Sequence, residues 1–285
     1  MIFSQLSSSS CSSSSSEKKT ISRTRTRTTT RRNHFAWIVG FFSILLAAFG
    51  AVAQTTNGLS DAEIQGRKLA QQLLEQLPIT NSIQNGILEI RDGKKTTTDV
   101  PVRFQTMVSA TDWQTIYETT TKSNRIQLIV GHAAGKPNRY YFWEGLPGLG
   151  EAMDRKAMAL SGSKTMRPFA SSDFWIADLG LEFFHWPGQK ILKKEFARGH
   201  GCMVLESTNP DPSTNGYSRV VSWIDEESGG IVQAKAYDFN NKLLKEFEPK
   251  SFKKDVNGQW QLQEMEIYND QTRSRTQIKF DLKAK

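Results

Sequence analysis

The sequence predicts a mainly β protein, a long antiparallel sheet that is curved or partly closed, with one N-terminal and one central helix. Two observations carry this. From Gly86 onward apolar residues tend to recur at every second position, and turn residues such as Asp92-Gly93 and Gly135-Lys136-Pro137-Asn138 cut the pattern into short runs. About ten or eleven strands can be counted, more than a flat sandwich accommodates comfortably.

Residues 1–53 precede the fold. A Ser-rich, then basic stretch ends at Arg31-Arg32 and runs into the uncharged segment Phe35 to Ala53, which closes on Ala51-Val52-Ala53. Basic residues followed by an apolar run and a small-residue site form an export signal, so cleavage is expected after Ala53 and the mature chain from Gln54. The alternative is an uncleaved inner-membrane anchor, since a run of this length also suffices to cross a bilayer. No Cys follows the small-residue site, so no thiol is placed there for lipidation.

The leader also explains the charge. The chain carries a formal net charge of +8, and Lys18, Lys19, Arg23, Arg25, Arg27, Arg31 and Arg32 against Glu17 account for all but +2 of it. The basic balance is therefore a targeting property, and no nucleic-acid partner is expected. Of the two cysteines, Cys11 lies in the leader, which leaves Cys202 without an internal partner and best read as a small packed hydrophobe.

Residues 54–285 contain no long Pro- or Gly-rich linker and are expected to form one domain. Ser60 followed by Glu63 is a capping box, and Ile64, Leu69, Leu73, Leu74 and Leu77 fall mostly on one side of a helix that Pro78 stops. Val100, Val102 and Phe104 alternate with polar neighbours, as do Ser274, Thr276, Ile278, Phe280 and Leu282 with theirs, the pattern of a sheet wetted on one face. Trp260 and Leu262 have one parity and Met265 and Ile267 the other, and a bulge near Gln263-Glu264 would return all four to the same face.

The segment between Ser172 and Trp186 holds Phe174, Trp175, Leu179, Leu181, Phe183, Phe184 and Trp186, more large apolar groups than one face of a short helix can hide. Two readings follow. The segment plugs the mouth of the sheet, as aromatic clusters usually belong to cores, or part of it lines a cavity for fatty acyl chains. Phe174, Trp175, Leu179, Phe183, Phe184 and, from the strand around Val221, Trp223 are the candidate lining or plug residues.

Signs of chemistry are weak. The run Gly145-Leu146-Pro147-Gly148-Leu149-Gly150 is followed by acidic residues rather than Lys-Ser/Thr, so it reads as a flexible rim loop and not a phosphate cradle. His132, His185 and His200 are in no metal-ligand spacing, and Ser161-Gly162-Ser163 is not a nucleophile elbow. The expectation is a protein without enzymatic activity, metal or cofactor.

The ordered set Ser171-Ser172-Asp173-Phe174, Asp178-Leu179, Cys202-Met203-Val204-Leu205-Glu206, Tyr217 to Asp225 and Lys242-Leu243-Leu244-Lys245 resembles the outer-membrane lipoprotein-sorting protein family, the LolA/LolB-like proteins. The match is best from Thr165 to Leu282 and holds in outline from Asp61 to Gly150. The resemblance implies an unclosed antiparallel β-barrel with a helical lid or plug, and a soluble periplasmic chaperone-like carrier of lipoprotein acyl chains or another lipid. It also implies an inner-membrane ABC transporter as donor and an outer-membrane acceptor. An envelope sensor built on the same fold and a secreted hydrolase are the alternatives.

Overall fold

The computed structural model describes residues 58–78, 80–146, 157–254 and 260–281. The expected leader, its cleavage site and Pro147 to Gly150 of the rim loop lie outside the described residues. Helix α1 (Asp61–Leu74) starts as its sequence predicts: the Ser60 backbone N–H donates to Glu63 Oε2 at 2.8 Å, and Glu63 N–H donates to Ser60 Oγ at 3.4 Å. Leu69, Ala70 and Leu73 are buried, whereas Ile64 is exposed. Gly66 is required by a close approach, because a Cβ there would stand 2.6 Å from the Lys190 backbone nitrogen.

Two meanders make the sheet. The first comprises β1 (Ser82–Arg91), β2 (Thr97–Val108), β3 (Asp112–Thr120), β4 (Arg125–Ala133), β5 (Arg139–Gly145) and β6 (Met158–Leu160). The second comprises β7 (Gly188–Ala197), β8 (His200–Thr208), β9 (Arg219–Asp225), β10 (Ile231–Tyr237), β11 (Leu243–Lys254), β12 (Trp260–Asn269) and β13 (Ser274–Phe280). They join side by side through β1 and β13 into one antiparallel sheet of 13 strands with β6 and β7 at its two ends. That is more strands than the ten or eleven expected. Strand β6 has three residues, too short for alternation to show.

This order has a consequence for residues 161–187. The chain begins in the middle of the sheet, walks out to one edge at β6, and must resume at the opposite edge at β7. The connection therefore has to cross the sheet's inner face. It does so as a 3-10 turn (Gly162–Thr165), a one-turn helix α2 (Ile176–Leu179) and a second 3-10 turn (Glu182–His185). The expected central helix is thus three short turns. It is interrupted by Gly180, where a Cβ would lie 2.2 Å from the Tyr140 hydroxyl, and by Leu181 at a left-handed φ of 51°.

The sheet is curled and unclosed. Strands β3 and β9 are seven positions apart in the strand order, about 34 Å in a flat sheet at 4.8 Å per strand. Yet the Tyr117 hydroxyl of β3 donates to the Leu179 carbonyl at 2.9 Å, while the Tyr217 hydroxyl beside β9 donates to the adjacent Asp178 carboxylate at 2.9 Å. One end of the inner face packs Leu88, Val102, Phe104, Leu128 and Ile278 against Phe169, Phe174 and Ile176. The other packs α1 with Phe183, Phe184, Trp186, Leu205 and Ile224, and half-buried Phe247 touches both groups. The β12 bulge is present: Ser251 pairs with Glu264 and Phe252 with Leu262, skipping Gln263, and Leu262, Met265 and Ile267 are buried inward, while Trp260 at the start of the strand is exposed, against the expectation.

Candidate functional site

Side chains from around the curled sheet hold the crossing segment. Tyr117 donates to the Leu179 carbonyl, Asn138 Nδ2 to the Gly180 carbonyl at 2.7 Å, and the Tyr140 hydroxyl to Glu182 Oε2 at 2.8 Å. From the other meander, Gln189 Nε2 donates to the Phe183 and Trp186 carbonyls at 2.9 and 2.8 Å, and Ser207 Oγ donates to Gln189 Oε1. Asp173 N–H donates to Thr276 Oγ1, whose hydroxyl returns a bond to Asp173 Oδ2, and Ser274 Oγ donates to Oδ1 at 2.6 Å. A buried non-helical backbone needs such partners, and here the sheet supplies them. Ala170, Ser171 and Leu181 adopt positive φ within this segment, a conformation that persists where surroundings determine it this heavily.

At the centre lies a buried cation. Lys245 of β11 is 2% exposed; its ammonium donates to the Asp173 carbonyl at 2.6 Å, lies 3.7 Å from Asp178 Oδ2 and sits 3.6 Å above the Trp175 ring. Trp175 stacks on Tyr217 at 4.6 Å, and Trp175 N–H donates to Asp178 Oδ2 at 2.7 Å. Burial pulls the Lys245 ammonium down to about 8 against the opposing pull of Asp178 and Asp173. Burial raises the Asp178 carboxyl, opposed by Lys245 and the Trp175 N–H. The lysine remains mostly protonated at neutral pH, held by a carboxylate, a carbonyl and an indole face.

Between this segment and the sheet is an inner cavity of about 80 Å³. The sheet contributes Phe104, Trp113, Thr115, Tyr117, Met265 and Ile267, and the crossing segment Phe174, Leu179, Leu181 and Phe183. A larger mouth of about 560 Å³ lies under the C-terminal end of α1, among Leu74, Leu77, Phe184, His185 and the turn Gly135 to Asn138. Leu74, Trp113 and His132 border both spaces and form the constriction that separates them, the neck. Trp113 and His132 stack at 3.7 Å with planes 14° apart. Burial takes the His132 imidazole down to about 3 and that of His185 to about 4, so both are neutral at physiological pH.

Among the sequence candidates, Phe174, Leu179 and Phe183 face the inner cavity and Phe184 the mouth. Trp175 stands behind the cavity wall as the floor of the lysine site. Trp223 differs from the expectation: Val220 and Ile224 of its strand face the core, while Trp223 points from the opposite face and its indole donates to Glu195. Strand parity decides this, since Trp223 is an odd number of residues from both. Sequence reasoning missed Trp113, Thr115 and Tyr117, which line the cavity from alternate positions of β3, and Lys245, which shares the inward face of β11 with Phe247.

A Ser-His-Asp set does meet elsewhere, at the β9–β10 turn. His200 Nδ1 is 3.5 Å from Asp225 Oδ1, but Ser228 Oγ donates to Asp225 and not to the imidazole, which ties the turn without activating a hydroxyl. Among the described residues there is no metal-binding group of three or more His, Cys, Asp or Glu, and no helix long and apolar enough to cross a membrane.

Comparison with known proteins agrees with this architecture. A family model described as an uncharacterized protein matches residues 151–283. No curated protein matches the sequence. Among solved structures, a DUF1329 family protein from Desulfovibrio piger superposes with a TM-score of 0.60 at 18% identity, covering 78% of this chain and 92% of that one. A putative outer membrane lipoprotein-sorting protein domain from Vibrio parahaemolyticus gives a TM-score of 0.60 at 19% identity, covering 77% and 91%. The chain has the fold of these proteins.

Proposed function

We propose that the protein is a periplasmic carrier, exported by a leader cleaved after Ala53, which takes an acyl chain of a lipoprotein or other lipid into the inner cavity and releases it to an outer-membrane acceptor. It performs no covalent chemistry on its cargo. The observation that carries this reading is the mostly apolar cavity between the curled sheet and the crossing segment, with the Lys245–Asp178 pair in its lining, set next to a wider mouth under the end of α1. The lipoprotein-sorting name of the Vibrio parahaemolyticus relative supports it. An ABC transporter as donor comes from the sequence resemblance alone.

The cavity volume bears on how cargo enters. A space of about 80 Å³ is smaller than the ~150 Å³ cavity that admits benzene, so an acyl chain fits only if the cavity widens. An entering chain has to displace what borders the neck, and Leu74 at the end of α1 is the movable border. Each buried methylene contributes about 0.8 kcal/mol, enough for a chain of a dozen carbons to offset lifting a few helical contacts. The test is thermal unfolding with a lipidated peptide and with the same peptide unacylated. Ligand at a hundred times its Kd adds about 2.7 kcal/mol, a rise of a few degrees for a domain of this size. The acylated peptide should raise the midpoint and the bare one should not. Equal effects would point to peptide recognition, and cleavage of the acyl ester to a hydrolase.

A further inference from the structure

Resting on the carrier reading, we infer that the neck is a binding site for an uncharged, oxygen-bearing head, an ester or hydroxyl group, of a single-chain amphiphile whose chain runs inward past Thr115. Thr115 is 1% exposed and lines the inner cavity, yet its hydroxyl has no hydrogen-bond partner among the described residues. A buried hydroxyl left unpaired is costly, and nothing in the sheet requires it, since valine fills the same volume in a strand. It lies two residues along β3 from Trp113, on the same inward face, and so one step inside the neck. At the outer side His185 Nε2, which borders the mouth, is also buried without a partner among the described residues.

The surrounding charges select the class of head. His132 and His185 are neutral imidazoles, able to donate or accept without countering an anion. Lys245, a cation of the inner cavity, is already engaged by Asp178 and the Asp173 carbonyl. Arg67, Lys136 and Glu75 line the mouth, outside the neck. A carboxylate drawn to Thr115 would be desolvated without a free cation, whereas an ester carbonyl would receive the hydroxyl's hydrogen bond and lose little. A monoacylglycerol has this chemistry. A fatty acid anion does not.

The experiment measures displacement of a neutral fluorescent acyl probe from the full chain by 1-monooleoylglycerol, by oleate and by 1-octadecene, all delivered from cyclodextrin at pH 7.5. Wild-type protein should bind monooleoylglycerol at least tenfold more tightly than oleate. Thr115→Val should weaken monooleoylglycerol about tenfold, the worth of one hydrogen bond to a buried hydroxyl, leave octadecene unchanged and leave the melting temperature of the unliganded protein equal or higher. Thr115→Ser should keep the preference. Oleate binding as tightly as monooleoylglycerol, or Thr115→Val weakening the ester and the hydrocarbon alike, or a lowered melting temperature showing a structural hydroxyl, would each overturn the inference while leaving the carrier reading intact. If none of the three compounds displaces the probe, the carrier reading falls and this inference with it.

Discussion

The crossing segment and helix α1 cover the same curled sheet by different physics. Polar side chains from both meanders anchor the segment to the sheet: Tyr117, Asn138, Gln189, Lys245 and Thr276 all bond its backbone. Helix α1 rests on Leu69, Ala70 and Leu73 and on the close approach at Gly66, with the attraction of Glu63 for Lys190 of β7 as an electrostatic tie to the sheet and no side-chain hydrogen bond to it among the described residues. Directional bonds to a buried backbone are expensive to break singly, whereas an apolar contact can slide or lift and be replaced by another apolar surface. On the proposed carrier function the segment is the fixed plug and α1 the lid, and an acyl chain is the kind of surface that would substitute for what α1 buries.

The largest expected effect comes from the plug. Lys245→Met removes the cation and strands Asp178 and the Asp173 carbonyl in a buried site, and loss of one partner of a buried pair typically costs about 3–5 kcal/mol. Urea unfolding should show that loss, while the same change at exposed Lys194 should shift stability by less than about 0.5 kcal/mol. Gly66→Val should do the opposite kind of damage. Its side chain would collide with the Lys190 backbone, so overpacking of about 1–3 kcal/mol should fall on the lid, and probe uptake should become faster while the unfolding midpoint moves modestly. A slower uptake in that variant would show that α1 does not gate the cavity.

Tyr117→Phe tests the plug more gently. It leaves the Leu179 carbonyl without its donor and should cost about 1 kcal/mol by thermal or urea unfolding, with little change in uptake rate. A pH effect should follow from the neck. The folded-state values of His132 and His185, about 3 and about 4, lie below that of a free imidazole. The unfolded chain therefore binds more protons between roughly pH 6.5 and those values, and stability must fall as pH drops through that window. Each histidine contributes a slope of at most about 1.4 kcal/mol per pH unit, and His132→Phe should flatten the curve on its share.

The sheet was legible where one face is dry. Thr276, Ile278 and Phe280 alternate cleanly because β13 lies mid-sheet with water on its outer side, and the skipped Gln263 was visible as a change of parity between Leu262 and Met265. What could not be read was the closing geometry. Curling brings Asp178 within reach of Tyr217 and Leu179 within reach of Tyr117, and no local pattern encodes the meeting of strands so far apart in the sheet. The same reason hid the site. Phe174, Leu179 and Phe183 announced themselves as surplus apolar residues, but Thr115 and Lys245 look like ordinary strand residues until the inward face is known. Trp223 misled because its size suggests a core, while its parity sends it to the other side.

The contrast between lid and plug is tested most directly by native-state hydrogen exchange of the unliganded protein, resolved by residue. The amides of α1 from Leu69 to Leu74 should exchange through a local opening of lower free energy than global unfolding, while those of Asp178, Leu179 and Gly180 in the plug should exchange only with the whole domain. Plug amides that open before those of α1, or both opening together at the global free energy, would contradict the account of a fixed plug beneath a lifting helix.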